Sequence, residues 1–282
     1  MIDVVREVEA ARVIPHMVPI LLDILRSGEV SYNKDTPEFQ FRRCLLEIIH
    51  RLPANEGVKP QAGSLLAGMF YLLRNDNEED GIVCCKIIAD VVRYYRNLTD
   101  EVLKEFLAMY SDVLTNVQSL VDETLSEDSP VVEPNVAFPA NRSFKVLGEY
   151  AMTTVSIASI YRQMVIPAIH ELLPLNVAVM CIEAPVQHKA KTEYEASGGH
   201  WAGMASGFKN PSMYVDFTSM QVKLLSCSAF LHRGGTEPSG EDGETFAITC
   251  VRLMQDCPPT AIGSRRVRIL CVCLDSYLNG FP

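Results

Sequence analysis

Apolar residues recur along this chain at spacings of three and four, segment after segment, with almost no sustained alternation of period two. That pattern predicts helices throughout and no sheet. Between Pro37 and Leu52 the residues Phe41, Cys44, Leu45, Ile48, Ile49 and Leu52 fall on one stripe, whereas Glu38, Arg42, Arg43, Glu47 and Arg51 lie off it. The start of that segment is marked as well. Thr36 can cap it, Pro37 suits a first helical position whose N–H has no partner, and Glu38 meets the positive end of the dipole. From Glu79 to Tyr95 the stripe is Cys84, Ile87, Ile88, Val91, Val92 and Tyr95, with Lys86, Asp90 and Arg93 opposite. Thr99 can cap the next helix, whose stripe of Leu103, Phe106, Leu107, Tyr110, Val113, Leu114, Val117 and Val121 runs for about five turns. Met1 to Arg12 reads as an amphipathic helix, and further helices are predicted at 14–26, 61–74, 143–164, 166–194, 211–232, 243–256 and 260–277, about ten to eleven in all.

Helix starts near 36 and 79, and near 61 and 99, give a period of about 40 residues per helix pair, the spacing of HEAT and armadillo arrays. Each pair carries a wide apolar face that it cannot bury alone, so neighbours must stack, and an all-α helical-repeat solenoid is the predicted fold. Its organisation is read as helical repeats over 1–125, an acidic Pro-rich connector over 126–141, and helical repeats over 142–282 with loops at 197–211 and 233–243. The connector holds Pro130, Pro134 and Pro139 beside Glu127, Asp128 and Glu133, a composition that predicts mobility. The first loop is rich in Gly and carries Trp201 and Phe208, the candidate partner contacts, since aromatic residues dominate interface hot spots. The competing reading folds Trp201 back onto its own helices.

Composition narrows the function. At 282 residues and 48% hydrophobic the chain can bury a sizeable core, and its formal net charge of −10 argues against direct nucleic-acid binding. No signal peptide opens it, and its most apolar window, Tyr150 to Tyr161, falls short of the ~20 residues that would span a bilayer. Nine cysteines, an odd number scattered among apolar neighbours, read as buried thiols of a reducing compartment.

Chemistry is sparse. There is no Gly-x-Ser-x-Gly elbow and no Gly-rich phosphate loop followed by Lys. Cys271 and Cys273, with Cys250 and Cys257 upstream, lie on predicted helix rather than in the Cys-x2-Cys turns that structural zinc favours, so core packing is the preferred reading. His50 sits near a helix C-terminus, where capping or packing is preferred to ligation. No catalytic residue, cofactor, metal or small-molecule substrate is expected.

Several blocks resemble one family. They are Leu46-Glu47-Ile48-Ile49-His50-Arg51-Leu52-Pro53 with Asn55-Glu56 and Pro60; Asn77-Glu78-Glu79; Ser143-Phe144-Lys145-Val146-Leu147; Gln187-His188-Lys189; and Tyr214-Val215-Asp216-Phe217 with Gln221 and Lys223. In order and approximate spacing the set resembles the N-terminal helical array of the transformation/transcription domain-associated protein (TRRAP) family, and Cys257-Pro258 continues it. The resemblance implies a HEAT-repeat segment of a pseudokinase scaffold in SAGA-type histone acetyltransferase complexes of the nucleus. Its implied partners are acetyltransferase-complex subunits and transcriptional activators, with no membrane and no direct nucleic acid. The stretch around Trp201 looks like an insertion relative to that family, and Val267 to Pro282 departs from its pattern, so a truncated end is expected after Arg266. Met1 falls inside the array, which would leave an apolar helix face uncapped there too. Two other readings compete: a cytosolic armadillo- or HEAT-type adaptor or transport receptor, against which the lone Trp counts, and a Cys-dependent enzyme.

Overall fold

The computed structural model describes residues 7–52, 57–96, 99–180, 182, 184, 185, 196 and 209–234. The chain runs through α1 (Glu7–Ser27), α2 (Pro37–His50), α3 (Ala62–Asn75), α4 (Glu78–Tyr95), α5 (Asp100–Thr115), α6 (Val117–Thr124), α7 (Phe144–Ile160), α8 (Arg162–Met180) and α9 (Pro211–Gly234). Among the described residues there is no strand; two isolated bridges, Asn33 with Val136 and Asn77 with Pro139, are the extended pairings. The fold is all-α, as a helical-repeat array requires. The helices expected at 243–256 and 260–277 and the body of both loops lie outside the described residues.

Helix starts follow the side-chain chemistry. Thr36 Oγ1 accepts the Phe39 N–H, Asn77 Oδ1 the Asp80 N–H and Ser143 Oγ the Val146 N–H, each satisfying a donor left orphaned at a helix start. α4 ends at Arg96, whose positive φ of 45° puts it in the left-handed region and closes the helix onto Val92 O. α1 joins what the sequence reads as two helices, the end of Met1 to Arg12 and 14–26, into one, and carries Pro15 and Pro19 inside it. Its buried stripe of Ile14, Val18, Leu21, Leu22 and Leu25 runs past both prolines, so packing outweighs the lost backbone bonds. The helix predicted to run unbroken to Val121 is instead interrupted at Asn116. There Thr115 Oγ1 and Asn116 Nδ2 each donate to Asp112 O at 2.8 Å, and these side chains compete with the backbone ladder.

The chain divides into two compact units, one of Met1–Met109 with Glu133–Tyr161 and one of Tyr110–Val132 with Arg162–Pro282. In the first, α4 packs on α2, α3 and α7, and α1 packs on α2 and α3. Three rings from three helices meet in its core: Phe106 of α5 lies 6.1 Å from Phe70 of α3 and 5.4 Å from Tyr150 of α7, centroid to centroid. In the second, α8 packs on α9, and Tyr110, Leu172, Phe217, Leu224 and Leu225 are buried. Gln221 of α9 donates to Met180 O at 3.2 Å and Ile182 O at 3.0 Å, satisfying carbonyls where α8 ends. Of the helix predicted over 166–194, α8 covers the part to Met180, Ile182 and Ala184 are not helical, and most of the remainder lies outside the described residues.

α2 requires a correction. Its buried residues are Phe39, Arg42, Leu45, Leu46 and Ile49, while Phe41 is 55% exposed and Cys44 is exposed. Relative to the predicted stripe the helix is rotated, and a charged residue takes a place in the core. Arg42 can occupy it because the groups it bonds, a buried carboxylate and two carbonyls near the end of α1, would otherwise be orphaned.

Gly81 marks the tightest junction between α4, α7 and the connector. A Cβ there would lie 2.8 Å from Ala140 Cβ and 3.1 Å from Val146 Cγ2, and Ala140 Cβ cannot move without its backbone. Gly81→Ala gains about 1 kcal/mol of helix propensity but costs about 1–3 kcal/mol through overpacking, so a net destabilisation of up to about 2 kcal/mol is expected. Urea unfolding should show a lowered midpoint at unchanged slope.

Candidate functional site

The run Asp76-Asn77-Glu78-Glu79-Asp80 opens α4, and every member but Glu79 is buried. Arg42 of α2 reaches into it. One terminal nitrogen of Arg42 pairs with Asp76 Oδ2 and also donates to Leu25 O at 2.9 Å, and the other donates to Gly28 O at 3.0 Å. The guanidinium thus satisfies carbonyls at and just beyond the last turn of α1 while neutralising Asp76. Asp76 Oδ1 accepts the Asn77 backbone N–H at 2.8 Å, and the Asn77 amide donates to Asp76 Oδ1 at 3.1 Å and to Asp80 Oδ2 at 2.9 Å. Burial first, and the charge of Asp76 next, push the Asp80 carboxyl up to about 7, against the lowering influence of Asn77, Arg42 and Arg43.

Further charges gather at the rim. Glu78 accepts the Ser143 hydroxyl at 2.6 Å and the Lys145 ammonium at 3.3 Å. Glu79 meets Arg43 at 3.2 Å, Lys34 at 3.5 Å and Lys145 at 3.8 Å. Burial alone would raise Glu79; the hydrogen bond from Arg43 and the charges of Lys145, Lys34 and Arg43 outweigh it and hold the carboxyl below its ordinary value. Two of the blocks that carry the family resemblance, Asn77–Glu79 and Ser143–Leu147, therefore meet at Glu78, across 65 residues of chain.

The connector is tied to this node by its backbone. Lys34 N–H donates to Asn135 O at 2.8 Å, Ala137 N–H to Tyr32 O at 2.7 Å, Glu78 N–H to Phe138 O at 2.7 Å and Ala140 N–H to Asp76 O at 2.8 Å. Composition predicts a mobile segment; these bonds give it fixed partners that composition does not show. Within the second unit Asn210 holds the connector's first half, donating to Thr124 O at 3.0 Å and Pro130 O at 2.8 Å and accepting the Val132 N–H at 2.9 Å.

What the arrangement can do chemically is limited. Cys84 and Cys227 are fully buried; burial drives the Cys84 thiol well above its ordinary value and the Cys227 thiol up to about 12, so both stay protonated and poorly nucleophilic. Tyr110, beside Cys227, donates its hydroxyl to Asn176 Oδ1 at 2.6 Å. His50 Nε2 lies 3.4 Å from Asp90 Oδ2, a partner on α4 rather than a ligand set. Among the described residues no three His, Cys, Asp or Glu side chains are grouped to hold a metal, and no helix is long and apolar enough to cross a membrane. Trp201 and Phe208 lie outside the described residues, as do Gln187 to Lys189, Cys250, Cys257, Cys271 and Cys273. Sequence reasoning misses Arg42 and Asp80; the available signal is the spacing Phe39, Arg42, Leu46, Ile49, a helical stripe with one Arg inside it.

Apolar surface is also present. Val13, Ile20 and Ile24 of α1 are exposed, and their spacing of seven and four residues puts them on one side of the helix.

No protein-family profile matches the chain, and no solved structure does. Curated proteins do match. In an alignment of 296 positions that covers 89% of its length, the chain is 25% identical to the SAGA complex/NuA4 acetyltransferase complex subunit TRA1 of Saccharomyces cerevisiae. It is 24% identical over 273 residues, 86% of its length, to the transformation/transcription domain-associated protein of Homo sapiens. To the SAGA complex/NuA4 acetyltransferase complex subunit Tra1 of Schizosaccharomyces pombe it is 22% identical in an alignment of 297 positions that covers 94% of its length. The chain spans only 7–8% of the length of these relatives.

Proposed function

Starting from homologues of the TRRAP/Tra1 family over most of the chain, we propose that it is a non-catalytic scaffold segment of a transcription co-activator, making protein contacts inside a histone acetyltransferase complex and helping to recruit activators. The observation that carries this reading is similarity along 86–94% of the chain to proteins named as SAGA/NuA4 subunits or transcription-associated proteins. The physical chemistry supports it. Most of the charged groups at the start of α4 pair with one another, and the buried Cys84 and Cys227 thiols are held protonated. The exposed face of Val13, Ile20 and Ile24 offers apolar area of the kind protein contacts use.

In this reading helical repeats over 1–125 and 142–282 present surfaces for other subunits, the connector 126–141 links them, and the chain works in the nucleus without cofactor, membrane, nucleic acid or small-molecule substrate. Trp201 and Phe208 serve as aromatic anchors for a partner. The test is histone acetylation by material captured from nuclear extract on the tagged full chain. Activity well above a tag-only control is expected, and activity equal to that control counts against the reading. Trp201→Ala with Phe208→Ala should cut the captured activity by about tenfold or more, the effect of losing one hot spot. An undiminished yield would remove those two residues from the interface.

A further inference from the structure

The buried groups at the start of α4 do not balance. One guanidinium, Arg42, faces two carboxyls, Asp76 and Asp80, and all three are at most 4% exposed. Arg42 commits its terminal nitrogens to Asp76, Leu25 O and Gly28 O, and its Nε–H has no hydrogen-bond partner among the described residues. Asp80 Oδ2 accepts from the Asn77 amide, but Asp80 Oδ1 is buried without a hydrogen-bond partner among the described residues. The remaining cations nearby are engaged elsewhere: Arg43 and Lys34 on Glu79, Lys145 on Glu78 and Glu79. The charged and titratable groups acting most strongly on Asp80 are Asp76 before α4 and Arg42 and Arg43 of α2, with the Cys84 thiol also near it on its own helix. The connector and α7 bring Ala140 and Val146 against Gly81, the residue after it, and neither carries charge.

We propose that Asp80 is a proton-operated latch: protonated, it leaves Arg42 to Asp76 alone; deprotonated, it sets a second buried carboxylate in competition for the same guanidinium and loosens the connector's attachment to α4. The attachment is exposed to that competition because Asp76 both pairs with Arg42 and accepts the Ala140 N–H through its own carbonyl, while Glu78 N–H holds Phe138 O one residue pair away. Burial and the neighbouring Asp76 raise the Asp80 carboxyl from 3.8 to about 7. A carboxyl raised on folding binds a proton that the unfolded chain has released, so its stabilising contribution is complete below the unfolded value. That contribution declines as pH rises and is gone above the folded value. The latch accordingly opens on the alkaline side of neutrality, the reverse of Glu79, whose lowered carboxyl supports the fold above its ordinary value and withdraws that support as pH falls.

Two measurements on the full chain decide it. With carboxyl-13C aspartate, the Asp80 resonance, assigned through its backbone, should titrate in the folded protein with a midpoint near 7; a midpoint of about 4, the ordinary aspartate value, overturns the proposal. Hydrogen-exchange protection at the Ala140 and Glu78 amides should fall about tenfold between about pH 6 and about pH 8, and Asp80→Asn should abolish that fall. An equal fall in both proteins, or none in the wild type, overturns it. If Asp80→Asn does not fold, the wild type decides: the fall in protection at the Ala140 and Glu78 amides should share the midpoint of the Asp80 titration, and a fall that does not follow that titration overturns the proposal.

Discussion

Arg42→Met should cost about 3–5 kcal/mol of unfolding free energy, a large share of a stability that is typically about 5–15 kcal/mol. Methionine keeps most of the aliphatic stem and removes only the guanidinium. Asp76, which is 1% exposed, then loses its cation, and the carbonyls of Leu25 and Gly28 lose their donor. A charge left alone in that setting is costly, whereas removing both charges is nearly neutral in many proteins. The double variant Arg42→Met with Asp76→Asn is therefore expected to recover most of the loss. Chemical unfolding of the three proteins measures the coupling; a single-variant loss under about 1 kcal/mol would show that Arg42 is not what joins α1, α2 and α4.

Phe106→Ala is the other large effect expected, again about 3–5 kcal/mol. Phe106 is fully buried and is the middle ring of the trio with Phe70 and Tyr150, so its loss leaves a cavity that three helices must collapse to fill. Phe106→Leu keeps much of the volume and should cost less than the alanine variant. Thermal melts of the pair should fall in that order below the parent. Equal melting temperatures for parent and alanine variant would mean that α5 is not packed between α3 and α7.

Where the core is purely apolar, its position is legible from spacing alone. Cys84, Ile87, Ile88, Val91 and Val92 of α4, and Leu103, Phe106, Leu107, Tyr110, Val113, Leu114, Val117 and Val121 beyond it, are all buried as their stripes require, and Tyr95 at the end of the first stripe is half-buried. Spacing misplaces the buried face of α2 because burial of Arg42 depends on Asp76, which lies 34 residues away in sequence, and on two backbone carbonyls. Hydrophobic periodicity registers none of these. The connector's attachments are hidden for a related reason: its backbone bonds to Tyr32, Lys34, Asp76 and Glu78 leave no trace in composition. The break at Asn116 turns on local competition for one carbonyl, Asp112 O. Of the candidate site, the pieces Asn77–Glu79 and Ser143–Leu147 stand out in the sequence as family-like blocks, but their meeting at Glu78 requires the fold.

If stacked helices recognise proteins through shape and surface, with their charged groups serving the fold, the chain should bring down a defined assembly. Quantitative mass spectrometry of proteins captured from nuclear extract by the tagged full chain tests this most directly. Enrichment of several subunits of one histone acetyltransferase complex over a tag-only control, in constant proportion to one another, is the expected result. A captured set with no acetyltransferase-complex subunit above the control would contradict it.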